Sequence, residues 1–266
     1  MFGTHLWRLV AYRLIKVLGN ALKLLGYGFH AVFPGKRFTL PASSGPLLPA
    51  RARARVPRVL WQTNFTDRVT LPVYLNYLCN RLMSPCHAYR LMTDEAAADF
   101  VAANFPAEIV ASYKRLRIGA ARADFWRVLI LQKFGGVYMD IDAHSVWPLG
   151  WVVPRDSREF FVLSRAGRVT NYWMASCPDN PTLARMIQRI VANVDAGSIA
   201  SVYDLTGPGM MATLFEPGEL PAAPFRWVCD QGNFTNEYFQ YRDRPAGKWT
   251  RQQEHMPLLS DPEEKA

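Results

Sequence analysis

Residues 122–142 read Arg122-Ala-Asp-Phe-Trp-Arg-Val-Leu-Ile-Leu-Gln-Lys-Phe-Gly-Gly-Val-Tyr-Met-Asp-Ile-Asp142. Ala120–Phe134 is rich in Ala, Leu, Arg and aromatics and predicts a strong helix. The pair Gly135-Gly136 ends it, because glycine takes the left-handed conformation at a helix C-terminus without steric cost. Val137–Ile141 then reads as a short apolar strand, and Asp140 and Asp142 stand where it stops. In an extended strand residues i and i+2 point to one side. Two carboxylates so placed repel each other unless a cation or a donor lies between them. Their hard oxygens suit Mg²⁺ or Mn²⁺, ions commonly held by one or two carboxylates plus substrate phosphates. Asp124 and Arg127 precede them one helical turn apart and therefore share a face. The planar fork of an arginine suits phosphate.

Outward from this block, elements alternate. Val56–Gln62, Ala88–Met92 and Phe160–Leu163 read as strands. Leu71–Leu82, Asp94–Asn104, Pro106–Leu116 and Pro181–Val194 read as helices, with Thr93-Asp94-Glu95 and Pro181 as start signals. Such alternation predicts an α/β domain with a mixed, mainly parallel sheet. Ligands bind such sheets beyond the carboxyl ends of their strands, which is where Asp140 and Asp142 fall.

The chain of 266 residues is half apolar and carries a net charge of +9. That charge is concentrated: residues 1–60 hold ten Lys/Arg and no acid, and the first acid is Asp67. Residues 5–29 predict an amphipathic helix in which His5, Arg8, Arg13, Lys16, Asn20 and Lys23 share an arc opposite most of the Leu, Val and Trp. A charge recurs too often for a spanning helix, which needs about 20 apolar residues. Basic residues in the would-be apolar region also fit a cleavable signal poorly. The pattern predicts a helix lying on an anionic leaflet, with nucleic acid excluded as a partner. The expected layout is residues 1–33 as a basic membrane-associating helix, 34–55 as a Pro/Gly/Arg linker and 56–266 as the catalytic domain. The run Arg51–Arg55 is a candidate contact for lipid phosphates. Cys79, Cys86, Cys177 and Cys229 form no metal-binding spacing and read as free thiols.

The block from Arg122 to Asp142 resembles the centre of the DXD-containing sugar transferases of glycosyltransferase family 32. That family includes yeast mannosyltransferases and bacterial capsule and lipopolysaccharide transferases, and the clostridial glucosylating toxins share a similar block. Five coupled parts carry the resemblance: Ala-Asp, an Arg three residues on, a helix of fixed length, Gly-Gly-Val-Tyr, and Asp-x-Asp. It extends to Val56-Pro-Arg-Val-Leu-Trp-Gln-Thr63, to Asn171–Pro181 and to Thr206-Gly-Pro-Gly209, and it thins beyond Phe215.

The resemblance implies a GT-A type nucleotide-sugar fold and a retaining hexosyl transfer from a UDP- or GDP-sugar to a glycan or lipid-linked acceptor, in cell-surface polysaccharide or lipopolysaccharide synthesis. It implies Asp142 as a direct ligand of Mn²⁺ or Mg²⁺, and Asp140 as ligand and ribose contact. It places Asp124 and Arg127 on the donor sugar and diphosphate, and Asn171 near the anomeric carbon. Trp61 becomes a nucleobase platform beside Gln62 and Thr63, Trp249 helps to close the donor site, and His255 is a lesser candidate for a metal or phosphate contact. The expected location is the cytoplasmic face of a bacterial inner membrane, held peripherally. Two other readings stand beside it. One is a phosphatase or phosphotransferase with Asp140 as nucleophile, although such enzymes carry Asp-x-Asp near the domain start and His144 departs from their pattern. The other is a non-catalytic membrane-binding protein.

Overall fold

The computed structural model describes residues 2–50 and 53–261, so that Arg51, which heads the basic run, lies outside the described residues. A long helix, α1 (Phe2–Val32), opens the chain. Two short strands follow, β1 (Phe38–Thr39) and β2 (Ser43–Ser44), then β3 (Val59–Asn64) and β4 (Arg68–Val69). The segment read from its composition as a linker is thus stitched to the body: β1 pairs with β4, β2 adds an antiparallel edge to a later strand, and Leu40 is buried. The first body strand starts later than expected, because Pro57 has no N–H for a ladder and its carbonyl accepts instead from Val59 N at 3.0 Å.

Helix α2 (Leu71–Met83) has Pro72 in its first turn, β5 (Ala88–Thr93) follows, and the Thr93 hydroxyl caps α3 (Asp94–Asn104). Next come α4 (Ala107–Arg115), α5 (Gly119–Phe134) and β6 (Gly136–Met139). Beyond a turn lie β7 (Ala143–Ser145), α6 (Leu149–Val152), β8 (Glu159–Leu163) and β9 (Val169–Ser176). Helix α7 (Pro181–Ala196) is capped by the Asn180 side chain and stops at left-handed Gly197. The remainder is short: α8 (Val202–Leu205), α9 (Pro208–Leu214), β10 (Ala222–Pro224), α10 (Phe225–Val228), β11 (Cys229–Gln231), α11 (Glu237–Gln240) and α12 (Trp249–His255).

The main sheet has the order β10-β8-β9-β6-β3-β5-β2. Strands β5, β3, β6, β8 and β10 run in one direction, and β9 and β2 run against them. The α/β class with a mainly parallel sheet is therefore the one expected, with β9 an addition that the alternation of strand and helix did not show.

Side chains alternate across the sheet and feed two cores. From β6, Tyr138 joins the core under α3, α4, α5 and α7, whereas Val137 and Met139 join the core under α1, α2 and α10. Phe125, Trp126 and Val128–Leu131 of α5 are buried all round, so this helix is a central pillar rather than an amphipathic cover. All four cysteines are free.

The passage from α5 to β6 needs both glycines. Gly135 has φ 63° and Gly136 φ 111°, and a Cβ on Gly136 would stand 2.8 Å from the Val59 carbonyl oxygen. Gly136→Ala is expected to cost about 3 kcal/mol from left-handed strain and from separation of β6 and β3. Chemical denaturation measures it, and a midpoint equal to the parent's would contradict this account of the turn.

Candidate active site

The carboxyl ends of β3, β5, β6 and β8 open on one cleft of about 720 Å³. Its floor is the end of β6. The strand stops at Met139, two residues before the expected end at Ile141, and Ala143 N closes a turn onto the Asp140 carbonyl at 3.0 Å. Asp140 and Asp142 thus sit on a turn rather than on an extended strand. The physical reason lies in α2. Asn76 donates to the carbonyls of Ile141 and Ala143, both at 2.9 Å, and Asn80, one helical turn on, donates to Ala143 O and accepts from Ser145 N, again at 2.9 Å. Two buried amides hold the peptide groups that a strand ladder would otherwise satisfy. Gln62, fully buried, donates to the Asp140 carbonyl at 3.2 Å and accepts from the Tyr89 hydroxyl.

The two carboxylates converge on one donor. Gln231 Nε2 lies 3.2 Å from Asp140 Oδ2 and 3.1 Å from Asp142 Oδ1. It comes from β11, which pairs antiparallel with β7. Asp140 Oδ1 also accepts from the Tyr138 hydroxyl at 2.6 Å. Burial, and after it the neighbouring Asp140, push the Asp142 carboxyl up to about 7.

Arg127 is more deeply engaged than a free phosphate ligand. Its Nη2 lies 3.0 Å from Asp124 Oδ1 and 3.1 Å from Asp140 Oδ1, its Nη1 donates to the Asn171 carbonyl at 2.8 Å, and its plane covers the Tyr138 ring at 4.4 Å. Burial works against its charge, but Asp140, Tyr138 and Asp124 outweigh it and hold the guanidinium firmly protonated. Asp124 accepts from Asn171 Nδ2 at 2.9 Å and from Thr206 Oγ1 at 3.0 Å. Burial raises it to about 6, with Arg127 opposing and Asp140 adding to the rise. Asp124, Arg127, Asp140, Asp142 and Asn171 are therefore brought together, and Arg127 is the cation that joins the helix acid to the turn acid.

The remaining expected residues divide. Thr63 and Trp249 line the cleft. Trp61 does not: it is 6% exposed, donates to the Gly135 carbonyl at 2.9 Å and stacks on Phe134, so it is a core tryptophan fixing the glycine turn rather than a nucleobase platform. Gln62 likewise supports the turn from beneath and does not reach the cleft. His255 ends α12 as an exposed residue outside the cleft. Gln231, Tyr138, Tyr172, Tyr203 and Tyr241 line the cleft without having been foreseen.

The donor set fits a hard divalent cation. Two carboxylates meet at one amide, and a half-turn of that amide would present its oxygen instead of its N–H. Among the described residues no group of three His, Cys, Asp or Glu gathers to hold a metal. A cation at Asp140 and Asp142 would thus draw further oxygens from the amide, water or a bound diphosphate, the coordination habit of Mg²⁺ and Mn²⁺.

Residues 72–159 match the family described as the glycosyltransferase sugar-binding region containing DXD motif. The match spans Asp124, Arg127, Asp140 and Asp142 but neither Asn171 nor Gln231. The chain is 24% identical over 189 residues to the initiation-specific alpha-1,6-mannosyltransferase of Schizosaccharomyces pombe, covering 59% of this chain and 47% of that one. It is 33% identical over 90 residues to inositol phosphoceramide mannosyltransferase 3 of the same organism, covering 34% and 25%. The chain spans about half the length of the first relative and a quarter of the second. Among solved structures the PaToxG glycosyltransferase aligns with a TM-score of 0.46 and 14% identity, over 91% of this chain and 81% of that one.

Proposed function

We propose that this chain, whose residues 72–159 match the sugar-binding region containing the DXD motif, is a DXD-type glycosyltransferase that moves a hexose from a UDP- or GDP-sugar to a lipid-linked or glycan acceptor, with Mg²⁺ or Mn²⁺ at Asp140 and Asp142. The observation that carries the reading is the convergence of both carboxylates on Gln231 beside the Asp124–Arg127 pair. The relatives named as mannosyltransferases put mannose first among donor sugars, and the one named for inositol phosphoceramide supports a lipid acceptor. Synthesis of a surface polysaccharide or lipopolysaccharide at a cytoplasmic membrane face is the setting we propose.

The cation, when bound, would neutralise charge on the departing diphosphate. The chain's own residues supply position. Asn76 and Asn80 fix the turn, Tyr138 and Arg127 fix the Asp140 carboxylate, and Asn171 and Thr206 fix Asp124. Such preorganisation is a main source of catalysis where charge develops. The other acids lining the cleft are engaged: Asp94 faces Arg122 and Arg244, and Glu237 faces Lys248 and Arg251. Both oxygens of Asp124 are occupied as well. This supports retention by attack on the donor's own face, with the leaving diphosphate taking the acceptor proton, over a covalent glycosyl-carboxylate route.

A phosphotransferase with Asp140 as nucleophile is disfavoured, because Arg127, Tyr138 and Gln231 occupy both oxygens of that carboxylate. Incubation with phosphate esters and acid trapping is expected to give no acyl phosphate on Asp140.

Proton and cation compete at Asp142. Its folded value of about 7 lies above that of an unfolded aspartate, about 4. The stability this proton gives is complete below about pH 4 and is lost as pH rises through about 7. The cation must displace the proton, so the rise in Tm on adding Mn²⁺ is expected to be several degrees larger at about pH 8 than at about pH 6. Equal thermal shifts at the two pH values would contradict the assignment. Hydrolysis of UDP- and GDP-hexoses, with and without Mn²⁺, tests the function as a whole.

A further inference from the structure

Helix α1 is mounted with its polar side inward. Tyr12 donates to Asp230 Oδ2 at 3.1 Å, Lys23 Nζ donates to the Gly232 carbonyl at 2.8 Å, and His30 Nε2 accepts from Leu71 N at 3.1 Å. At about 100° per residue these three, with Lys16, Gly19 and Gly26, form one stripe. The two glycines permit the contact: a Cβ on Gly19 would meet the Phe234 ring at 2.8 Å, and one on Gly26 would meet the Pro72 ring more closely still. Lys16 and Lys23 of the cationic arc are therefore half-buried against the body, while Arg13 stays exposed.

The opposite side faces out and is apolar. Trp7, Leu14, Val17, Leu24, Leu25 and Val32 are 58–69% exposed along a helix of 31 residues, or about 45 Å. A stripe of this length is more than solitary surface hydrophobes would give. At its start, Arg8 lies over the Trp147 ring, and Trp147 neighbours Trp151, itself 70% exposed. No helix among the described residues is long and apolar enough to cross a membrane.

We infer that the outer face of α1 is a leaflet-embedding surface, on which the protein lies with α1 in the plane of an anionic membrane. Charge selects this occupant. The first 66 residues contain no acid, and the exposed Arg13 and Lys36 flank the stripe with positive charge. Anionic headgroups complement that flank, whereas a second copy would oppose cations to cations. Trp7 and Trp151 fit the headgroup boundary, where amphipathic rings concentrate. The inward side of the helix meets the wall of the cleft: Gly232 and Asn236, held by Lys23 and the Tyr27 hydroxyl, line it, and Gln231 lies between Asp230 and Gly232. Embedding α1 thus sets the cleft at the membrane surface, where a lipid-linked acceptor would meet it. That last step rests on the transferase reading; leaflet binding does not.

The test uses the full chain and the variant Leu14→Glu/Val17→Glu/Leu24→Glu, whose exposed positions leave the packing of α1 unaltered. Co-sedimentation with phosphatidylglycerol-containing vesicles and with neutral phosphatidylcholine vesicles is measured beside hydrolysis of the donor in solution and light scattering. The parent is expected to bind anionic vesicles about tenfold more tightly than neutral ones. The variant is expected to lose about tenfold or more of that binding and to keep its donor hydrolysis. Equal vesicle binding by parent and variant would overturn the inference. So would a parent that ignores vesicles and forms a dimer that the variant dissociates. Vesicle binding lost in the variant, with no donor hydrolysis in either protein, would uphold the leaflet surface and count against sugar transfer.

Discussion

Asp142→Asn is expected to lower donor hydrolysis and transfer by about 100- to 1000-fold, the range in which loss of one charge-stabilising group at a reacting centre falls. Asparagine keeps the shape of aspartate, and its carbonyl can still accept from Gln231 Nε2, now 3.1 Å from Asp142 Oδ1. Removing one of two facing carboxylates also relieves their repulsion. The variant is therefore expected to be as stable as the parent near neutral pH, and without metal slightly more so. Loss of activity with retained Tm is the signature of a residue that serves the ligand rather than the fold. Its raised Tm on adding Mn²⁺ should vanish as well. Asp140→Asn differs in a measurable way, because Asp140 also pairs with Arg127 at 3.1 Å, and its variant is expected to lose stability along with activity.

Arg127→Met is expected to be the most destabilising single substitution in the cleft. Methionine fills similar volume but leaves buried Asp124 and half-buried Asp140 facing each other without the guanidinium that lies within 3.1 Å of both. Removing one partner of a buried ion pair costs about 3–5 kcal/mol, far more than an exposed pair is worth. For a chain of this size that lowers Tm on the order of 10 °C. The penalty should shrink in acid, because Asp124 takes up its proton from about pH 6 downward even with Arg127 present. Arg127→Lys is expected to recover charge but not the fork that reaches Asp124, Asp140 and the Asn171 carbonyl together, and so to restore stability only in part. Thermal unfolding at two pH values checks both variants, and a Met variant as stable as its parent would remove Arg127 from its bridging role.

The parts of this site that could be read from sequence are those built from contiguous chain. Helix α5, the glycine pair, β6 and the four charged residues fall within 24 residues, where helical and strand periodicity place each side chain. What could not be read depends on pairing at long range. Gln231 reaches the carboxylates because β11 lies beside β7, a contact between distant segments that a lone Gln in Cys229-Asp-Gln does not signal. The asparagines of α2 look like ordinary polar positions of a helix until the turn carbonyls they satisfy are in place. Trp61 shows the converse. Its position in the first strand suggested a ligand platform, yet alternation along β3 turns it inward onto the Gly135 carbonyl. Helical period groups the cations of α1 into one arc, but periodicity alone does not say which side of a helix meets the body. The two glycines, spaced seven residues apart, mark that side once Phe234 and Pro72 are seen against them.

Hydrolysis of GDP-mannose and UDP-hexoses by the purified full chain decides whether Asp140 and Asp142 hold a divalent cation for nucleotide-sugar chemistry. After chelation, the account predicts a rate at background that Mn²⁺ or Mg²⁺ restores by about 100-fold or more, with at least one of these donors as substrate. A full rate in the presence of chelator, or turnover of simple phosphate esters in preference to every nucleotide sugar, would contradict it.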